Sequence, residues 1–434
     1  MMRICVVGLG KVGLPLAVQA ASFGHDVIGV DISESVVDLV NRGKETFSGE
    51  TDLQEKLEDV IRKKYLKAST DTGQSVSNSE VVIVIVPLLS NEFGIPDFSN
   101  LDEVTKTIGK NLTPGTLVCF ETTVPVHTTR QRLAPILAEE SGLGIGSEIF
   151  VAFSPERVSS GSVFFDFMRY PKLVAGIDEA SLRKATAFYE SILLFDERQD
   201  LKKPNGVWAL SSLESAEFSK LVETNYRGVN IALANEFARF AENNSIDIFE
   251  VIEAANSQPF SHIHMPGISV GGHCIPVYQD FYNFSDPTAS ITLSAVEVNE
   301  SISGYALEKI GERYGTLDGS KVVILGAAYR EGVKEVSRSG VFSLIEKLEQ
   351  LGATPLVHDP LFEDEELEEL GFKPYSFGQP CDIAIIHTGH DLYRSLTPSD
   401  LPELKLFYDG RCITTGDVWR DITYIKFGIS DGLL

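Results

Sequence analysis

Basic residues are scarce in this chain: 37 Lys and Arg stand against 62 Asp and Glu, a formal net charge of −25. That deficit excludes a nucleic-acid-binding surface, which needs clustered positive charge, and a polybasic membrane anchor. An acidic surface of this kind mainly secures solubility. Any phosphate-bearing ligand must then be held locally, by backbone N–H groups and a few placed Arg or Lys side chains. Long apolar runs are missing too. The longest, Val81 to Val86 ahead of Pro87, is far shorter than the roughly 20 residues a spanning helix needs. The chain passes from Met1-Met2-Arg3 straight into a strand-like run, so no signal peptide is expected. Cysteine is sparse, with Cys5, Cys119, Cys274, Cys381 and Cys412 and no CxxC spacing, so neither zinc nor a redox pair is expected. Cys5, Cys119 and Cys381 lie in or beside apolar runs and read as small buried hydrophobes. These absences together describe a cytoplasmic protein with reduced thiols, no metal, no nucleic acid and no membrane.

What is present is a globular composition, 43% apolar and 23% charged over 434 residues, long enough for two or three domains. Up to about residue 200, strand-like runs (Arg3–Val7, Asp26–Val30, Val81–Val86, Thr116–Phe120, Ile149–Phe153) alternate with helical patterns such as Leu14–Phe23 and Ser33–Asn41. Such alternation predicts a parallel, doubly wound sheet. Ser211-Ser212-Leu213-Glu214 fits a capping box, and from 212 to about 243 there is no proline and only one glycine, Gly228. At about 1.5 Å per residue this is roughly 45 Å of helix, with an apolar face suited to a homodimer seam. Helices are expected at Ile248–Ala255 and Ile291–Tyr314. Lys321–Gly326, Thr354–His358 and Asp382–His387 then read as strands and Gly340–Leu351 as a helix; Glu363–Glu369 reads as a solvated helix face. The fold class is therefore α/β: two Rossmann-like doubly wound parallel-sheet domains (1–205 and 316–434) joined by a long central helix and helical core (206–315).

The run Gly8-Leu9-Gly10-Lys11-Val12-Gly13 follows the first strand and opens a helix. In that context G-x-G-x-x-G is a dinucleotide signature: Gly8 permits the tight turn, Gly10 lets backbone approach a pyrophosphate, and Gly13 allows close helix–strand packing. Asp31, 18 residues after Gly13, ends the second strand and is placed for ribose hydroxyls; Ile32-Ser33-Glu34-Ser35 holds no Arg for a 2′-phosphate. NAD is the expected cofactor.

Far downstream, Gly271-Gly272-His273-Cys274-Ile275-Pro276 pairs a nucleophile with a Gly-Gly backbone suited to close approach. A thiol adds readily to an aldehyde, and a neighbouring cation lowers its pKa. His273 is either such a neighbour or an ordinary hydrogen-bonded loop histidine.

With these motifs in order, the chain resembles the UDP-glucose/GDP-mannose dehydrogenase family over nearly its whole length. The likeness runs through the N-terminal signature, Glu121-Thr122-Thr123-Val124-Pro125, Ser154-Pro155-Glu156-Arg157-Val158, the helix with Lys220 and Asn230–Glu236, the cysteine loop and a C-terminal nucleotide-sugar domain. The cysteine loop is similar to that of the branch acting on UDP-N-acetylhexosamines, UDP-N-acetyl-D-mannosamine above all. UDP-N-acetylglucosamine and UDP-glucose are the alternative substrates. The resemblance implies a four-electron oxidation of a sugar C6 hydroxyl by two NAD⁺, with Cys274 forming a thiohemiacetal and then a thioester. It further implies that Lys220 steadies an oxyanion, that Glu156 positions or activates water, and that Thr123 lies near the sugar, the water and the cofactor. Arg157, Asn225, His273, Gly271 and Gly272 become substrate-side candidates. Ala328-Tyr329-Arg330 and Asp409-Gly410-Arg411 match C-terminal family motifs, making Arg330 and Arg411 candidates for the UDP-sugar. Outside the resemblance, Lys220 reads equally as an exposed helix lysine, Glu156 as a helix-start acid and Arg330 as a surface residue.

The chain departs from the family in several places. Tyr278 stands where an Asp usually follows the cysteine by four, so that role is lost or passes to Asp280. Thr224 stands one turn after Lys220 where an Asn is usual, with Asn225 next, and Thr224 is expected to fill the oxyanion-side role. Ser257–His262 carries no Arg, and Glu335 and Ser337 replace a usual Asp and Arg. Two rivals remain: a two-electron β-hydroxyacid-type dehydrogenase, which needs neither the cysteine loop nor a second nucleotide fold, and a relative that binds nucleotide sugar without oxidising it.

Overall fold

The computed structural model describes residues 1–91, 93–430 and 433. It comprises two compact units: residues 1–223 with 280–285, and residues 224–279 with 286–434.

The first unit is built on a sheet that has eight strands among the described residues. Their order is Leu66–Ser69, Asp26–Val30, Arg3–Val7, Val81–Val84, Leu117–Phe120, Phe150–Phe153, Lys172–Gly176 and Val207–Ala209. Val81–Val84, Leu117–Phe120 and Phe150–Phe153 are buried at every position. Uninterrupted apolar runs of this kind belong to a sheet covered on both faces. The order reverses between Arg3–Val7 and Val81–Val84, the two strands that flank the first Gly turn. Ligands of open α/β sheets bind outside the strand ends at such a switch point. Helix starts follow local chemistry: Ser33 accepts the Val36 N–H, and Asp178 accepts the Ser181 N–H at 2.7 Å.

The sheet is parallel, as expected, except at one pair. Phe150–Phe153 and Lys172–Gly176 pair antiparallel, with Ala152 opposite Gly176. The link between them holds only the short helix Val163–Arg169.

The second unit carries a parallel sheet of five strands among its described residues, ordered Thr354–His358, Lys321–Leu325, Ile383–Ile386, Leu406–Asp409 and Thr423–Lys426. Its switch point lies between Lys321–Leu325 and Ile383–Ile386, beside Gly326. Helices Ile248–Asn256, Ser290–Tyr314 and Gly340–Gln350 bury Ile252, Ile302, Ala306, Ile310, Leu344 and Leu348 in one core with this sheet. Asp364–Glu369 is the expected acidic helix, with only Leu367 turned inward.

The long helix is continuous from Leu213 to Glu242. Its single glycine has a packing reason: a Cβ on Gly228 would lie 2.7 Å from the Gln279 side chain. The start corrects the capping box read at Ser211. Ser212 is the cap, accepting the Ser215 N–H at 3.1 Å, while Glu214 turns away to pair with Arg130 at 2.6 Å. The S-x-x-E pattern was one residue out of register, and a guanidinium outcompeted the cap amide for the carboxylate.

Candidate active site

The Gly8–Gly13 turn sits at the switch point of the first unit. Gly8 has φ +99°, and a Cβ there would lie 2.4 Å from the Ile85 carbonyl oxygen. A Cβ on Gly13 would lie 1.9 Å from the Gly8 carbonyl oxygen. Both glycines are therefore demanded by the protein's own packing. Gly10 is not: nothing lies within 4 Å of its would-be Cβ. It is exposed at the turn, with Lys11 and Val12 partly exposed beside it. A bare backbone with no packing need for bareness is what a pyrophosphate lying against the chain requires. Asp31 ties this turn to the second strand, accepting the Leu9 N–H at 3.0 Å and the Ser33 N–H at 2.9 Å. Each carboxylate oxygen has two lone pairs, so Asp31 keeps acceptor capacity for ribose hydroxyls. The residues present fit NAD.

Elsewhere in the same unit lies a buried ionic cluster. Lys172, inside an otherwise apolar strand, bridges Glu121 at 2.8 Å and Glu156 at 2.7 Å. The other oxygen of Glu121 accepts the Tyr189 hydroxyl at 2.5 Å. The other oxygen of Glu156 accepts the backbone N–H groups of Arg157, at 2.6 Å, and Val158. Burial pushes the Glu121 carboxyl up to about 7, whereas Lys172 and the backbone donors outweigh burial at Glu156 and hold its pKa below the usual range. Lys172 itself is held charged by the two carboxylates, despite burial. Arg157 is paired with Glu223 at 2.8 Å. Thr123 is buried, and so is Lys220, at 7% exposure, which overturns the alternative of an exposed helix lysine.

The cysteine loop belongs to the second unit. Cys274 is half-buried and stands immediately before helix Ile275–Ser285. His273 hydrogen-bonds through its side chain both to Cys274 and to Glu335, the latter at 2.9 Å. These two partners push the imidazole up to about 10. Packing accounts for the Gly-Gly pair. A Cβ on Gly271 would lie 2.7 Å from the Arg338 carbonyl oxygen, and one on Gly272 2.8 Å from the Tyr329 ring. They approach the Arg338 backbone and the side chain of Tyr329, the tyrosine of the Ala-Tyr-Arg motif.

Thr224 and Asn225 are both buried, and Asn225 donates to the Tyr278 carbonyl at 3.3 Å. Tyr278 lies one turn after Cys274, and its N–H bonds the Cys274 carbonyl. Asp280 falls about 200° further round at about 100° per residue. It is counted with the first unit, where it accepts the Ser90 hydroxyl at 2.6 Å. Arg330 is exposed. Arg411 is partly buried, donating from Nε to the His387 carbonyl at 2.7 Å and from Nη2 to Ser269. Glycines 8, 10 and 13 with Lys11, Val12, Asp31, Thr123, Glu156, Arg157 and Lys220 thus lie on one unit. Cys274, His273, the two loop glycines, Thr224, Asn225, Arg330 and Arg411 lie on the other.

Sequence reasoning missed Lys172, and it quoted Glu121 without a role. The signal was present. A lysine between apolar strand residues, as in Pro171-Lys172-Leu173-Val174-Ala175, demands a buried anion.

Three family patterns of the UDP-glucose/GDP-mannose dehydrogenases match the chain. They are the NAD binding domain over residues 2–193, the central domain over 214–301 and the UDP binding domain over 323–416. The chain belongs to the UDP-glucose/GDP-mannose dehydrogenase family. It is an oxidoreductase, an NAD-dependent nucleotide-sugar dehydrogenase, with a domain of the UDP-binding kind at its C-terminal end. A UDP-N-acetyl-D-mannosamine dehydrogenase of Pyrococcus horikoshii is 31% identical over 425 residues, covering 95% of this chain and 96% of the relative. A solved structure of a UDP-D-ManNAc dehydrogenase from Pyrococcus horikoshii superposes with a TM-score of 0.87 at 29% identity, covering 98% of this chain and 99% of the other. An NDP-N-acetyl-D-galactosaminuronic acid dehydrogenase of Ralstonia nicotianae is 30% identical, covering 82% of each chain. Among the described residues no helix is long and apolar enough to cross a membrane.

Proposed function

We propose that this enzyme oxidises the C6 hydroxyl of a UDP-N-acetylhexosamine, UDP-N-acetyl-D-mannosamine first among them, to the uronic acid through a covalent Cys274 intermediate. The observation that carries the reading is the His273 side chain hydrogen-bonded at once to Cys274 and Glu335 in a Gly-Gly loop. An imidazolium and a helix N-terminus both favour a thiolate. The name of the Pyrococcus horikoshii relative supports the choice of sugar.

Bound NAD⁺ supplies a hydride acceptor for each of two oxidations. The balance is one alcohol, one water and two NAD⁺ to one carboxylate, two NADH and three protons. Between the oxidations Cys274 holds the sugar: its thiolate adds to the aldehyde carbon, and the oxygen takes a proton to give a thiohemiacetal. After the second oxidation the same carbon is a thioester. Water adds to it, the C–S bond breaks, and the thiolate leaves. Lys220, with Thr224 as a hydroxyl donor, steadies the oxyanions that form and collapse. Glu156, held as a carboxylate, takes the proton of the attacking water, and Thr123 orients that water. Arg330 and Arg411 serve the UDP moiety, with Arg157, Asn225, His273 and the two loop glycines lining the sugar side.

The unit of function is a homodimer closed through Leu213–Glu242, on which Tyr226, Leu233, Phe237 and Phe240 are exposed at helical spacing. The enzyme works in the cytoplasm, where cysteines outside disulfides, Cys274 among them, stay reduced.

An NADH assay across UDP-N-acetylmannosamine, UDP-N-acetylglucosamine, UDP-N-acetylgalactosamine and UDP-glucose tests the reading, with the product identified by mass. The expected result is two NADH per uronate, fastest with the manno sugar. One NADH per product would favour a two-electron dehydrogenase, and tight UDP-sugar binding without NADH a binding protein. Cys274→Ser is expected to lose steady turnover; full four-electron activity in that variant overturns the covalent step.

A further inference from the structure

We infer that Lys172 is a positioning residue of the hydrolytic step, clamping Glu156 in the ionised, oriented form that activates water, with Glu121 and Tyr189 as the buried counter-pair that keeps the clamp in place. The inference rests on the proposed role of Glu156.

The geometry carries it. Lys172 Nζ is shared between Glu156 at 2.7 Å and Glu121 at 2.8 Å, and the lysine side chain is only 5% exposed. Every acceptor edge of the pair has a donor. Glu156 takes the Arg157 and Val158 amides on its second oxygen, and Glu121 takes the Tyr189 hydroxyl. Three strands and a helix supply the parts: Glu121 follows Leu117–Phe120, Glu156 follows Phe150–Phe153, Lys172 opens Lys172–Gly176, and Tyr189 stands on Glu179–Ile192. A purely structural ion pair needs one carboxylate, and a second buried one is a cost. Burial disfavours two anions on one cation, and the two carboxyls are driven apart: Glu121 is raised by burial, while Glu156, with Lys172 and the Arg157 amide on it, is lowered and stays the better placed of the two to accept a proton from water. The other groups facing the cluster are Cys119, whose thiol burial raises far above neutrality, and Arg157, itself engaged by Glu223.

The test is the pH profile of kcat in Lys172→Met, Lys172→Arg and Glu121→Gln, with Glu156→Gln as the control. Wild type is expected to show no acid limb above pH 5. Lys172→Met is expected to bring a limb into the range of about 5 to 7, since removing an adjacent cation raises a carboxyl by about 1–3 units. It is also expected to lower kcat by about 10²-fold, the lower end for a general base, with KM changed far less. The covalent sugar adduct on Cys274, seen by intact mass, should accumulate. Lys172→Arg should restore both profile and rate in large part. Glu121→Gln should leave the limb where it is or lower, because the clamp then faces one carboxylate. An unshifted Lys172→Met profile, or an upward shift in Glu121→Gln, overturns the inference. If Lys172→Met does not fold, Lys172→Arg with Glu121→Gln decides by the same criteria. Failure of the underlying reading looks different: Glu156→Gln would then clear the adduct at the wild-type rate whatever Lys172 does.

Discussion

His273 is tied through its side chain both to Cys274 and to Glu335. Its imidazole is pushed up to about 10 by Cys274 and Glu335. A raised histidine pKa means that the stability this pairing contributes is fully present below the unfolded value near 6.5 and is lost as pH rises through about 10. Cys274 should accordingly react with iodoacetamide at a near-constant rate from pH 7 to 9. His273→Gln is expected to slow that reaction at pH 7 by about tenfold or more, because the thiol loses its cation; equal rates in the two proteins would remove His273 from the site. The three turn glycines make a second residue-scale contrast. Gly10→Ala meets nothing within 4 Å, so its thermal unfolding should stay within about 1 kcal/mol of wild type while NAD affinity falls. Gly13→Ala puts a methyl 1.9 Å from a carbonyl oxygen and should destabilise by at least about 2 kcal/mol. Melting curves with and without NAD separate the two. G-x-G-x-x-G was legible as a motif, but that Gly10 alone is free of packing demands was not, because that depends on what lies opposite each Cα.

At the scale of elements, the sequence was most readable where a run was long or uniformly apolar. The helix Leu213–Glu242 and the strands Arg3–Val7 and Thr354–His358 fall where periodicity put them, because their pattern repeats over several residues. Two things were not local. The antiparallel pairing of Lys172–Gly176 depends on the path between strands, and the shift of the helix cap to Ser212 on Arg130 claiming Glu214 from more than 80 positions away. The exposed Tyr226, Leu233, Phe237 and Phe240 give the long helix its own prediction. Leu233→Glu with Phe237→Asp should leave circular dichroism unchanged and convert a dimer to monomer in light scattering. A double variant that remains dimeric would move the interface elsewhere.

For the whole molecule, periodicity and motif order were enough to announce two nucleotide-type sheets and to select the family, since each rests on a pattern along the chain. The catalytic candidates divide between the two units, with Lys220 and Thr224 on consecutive turns of one helix yet counted on different units. By itself the sequence marked the Gly8–Gly13 turn, singled out Cys274 as the candidate nucleophile and carried the order of the three family regions. Only the tertiary structure decided what holds the acid of Ser-Pro-Glu in its charged form. It brings Glu121 and Glu156, which follow two strands, to within 2.8 Å of Nζ of Lys172, which opens a third. No local pattern encodes that meeting, because strand order in a sheet, not distance along the chain, sets which buried charges must neutralise one another.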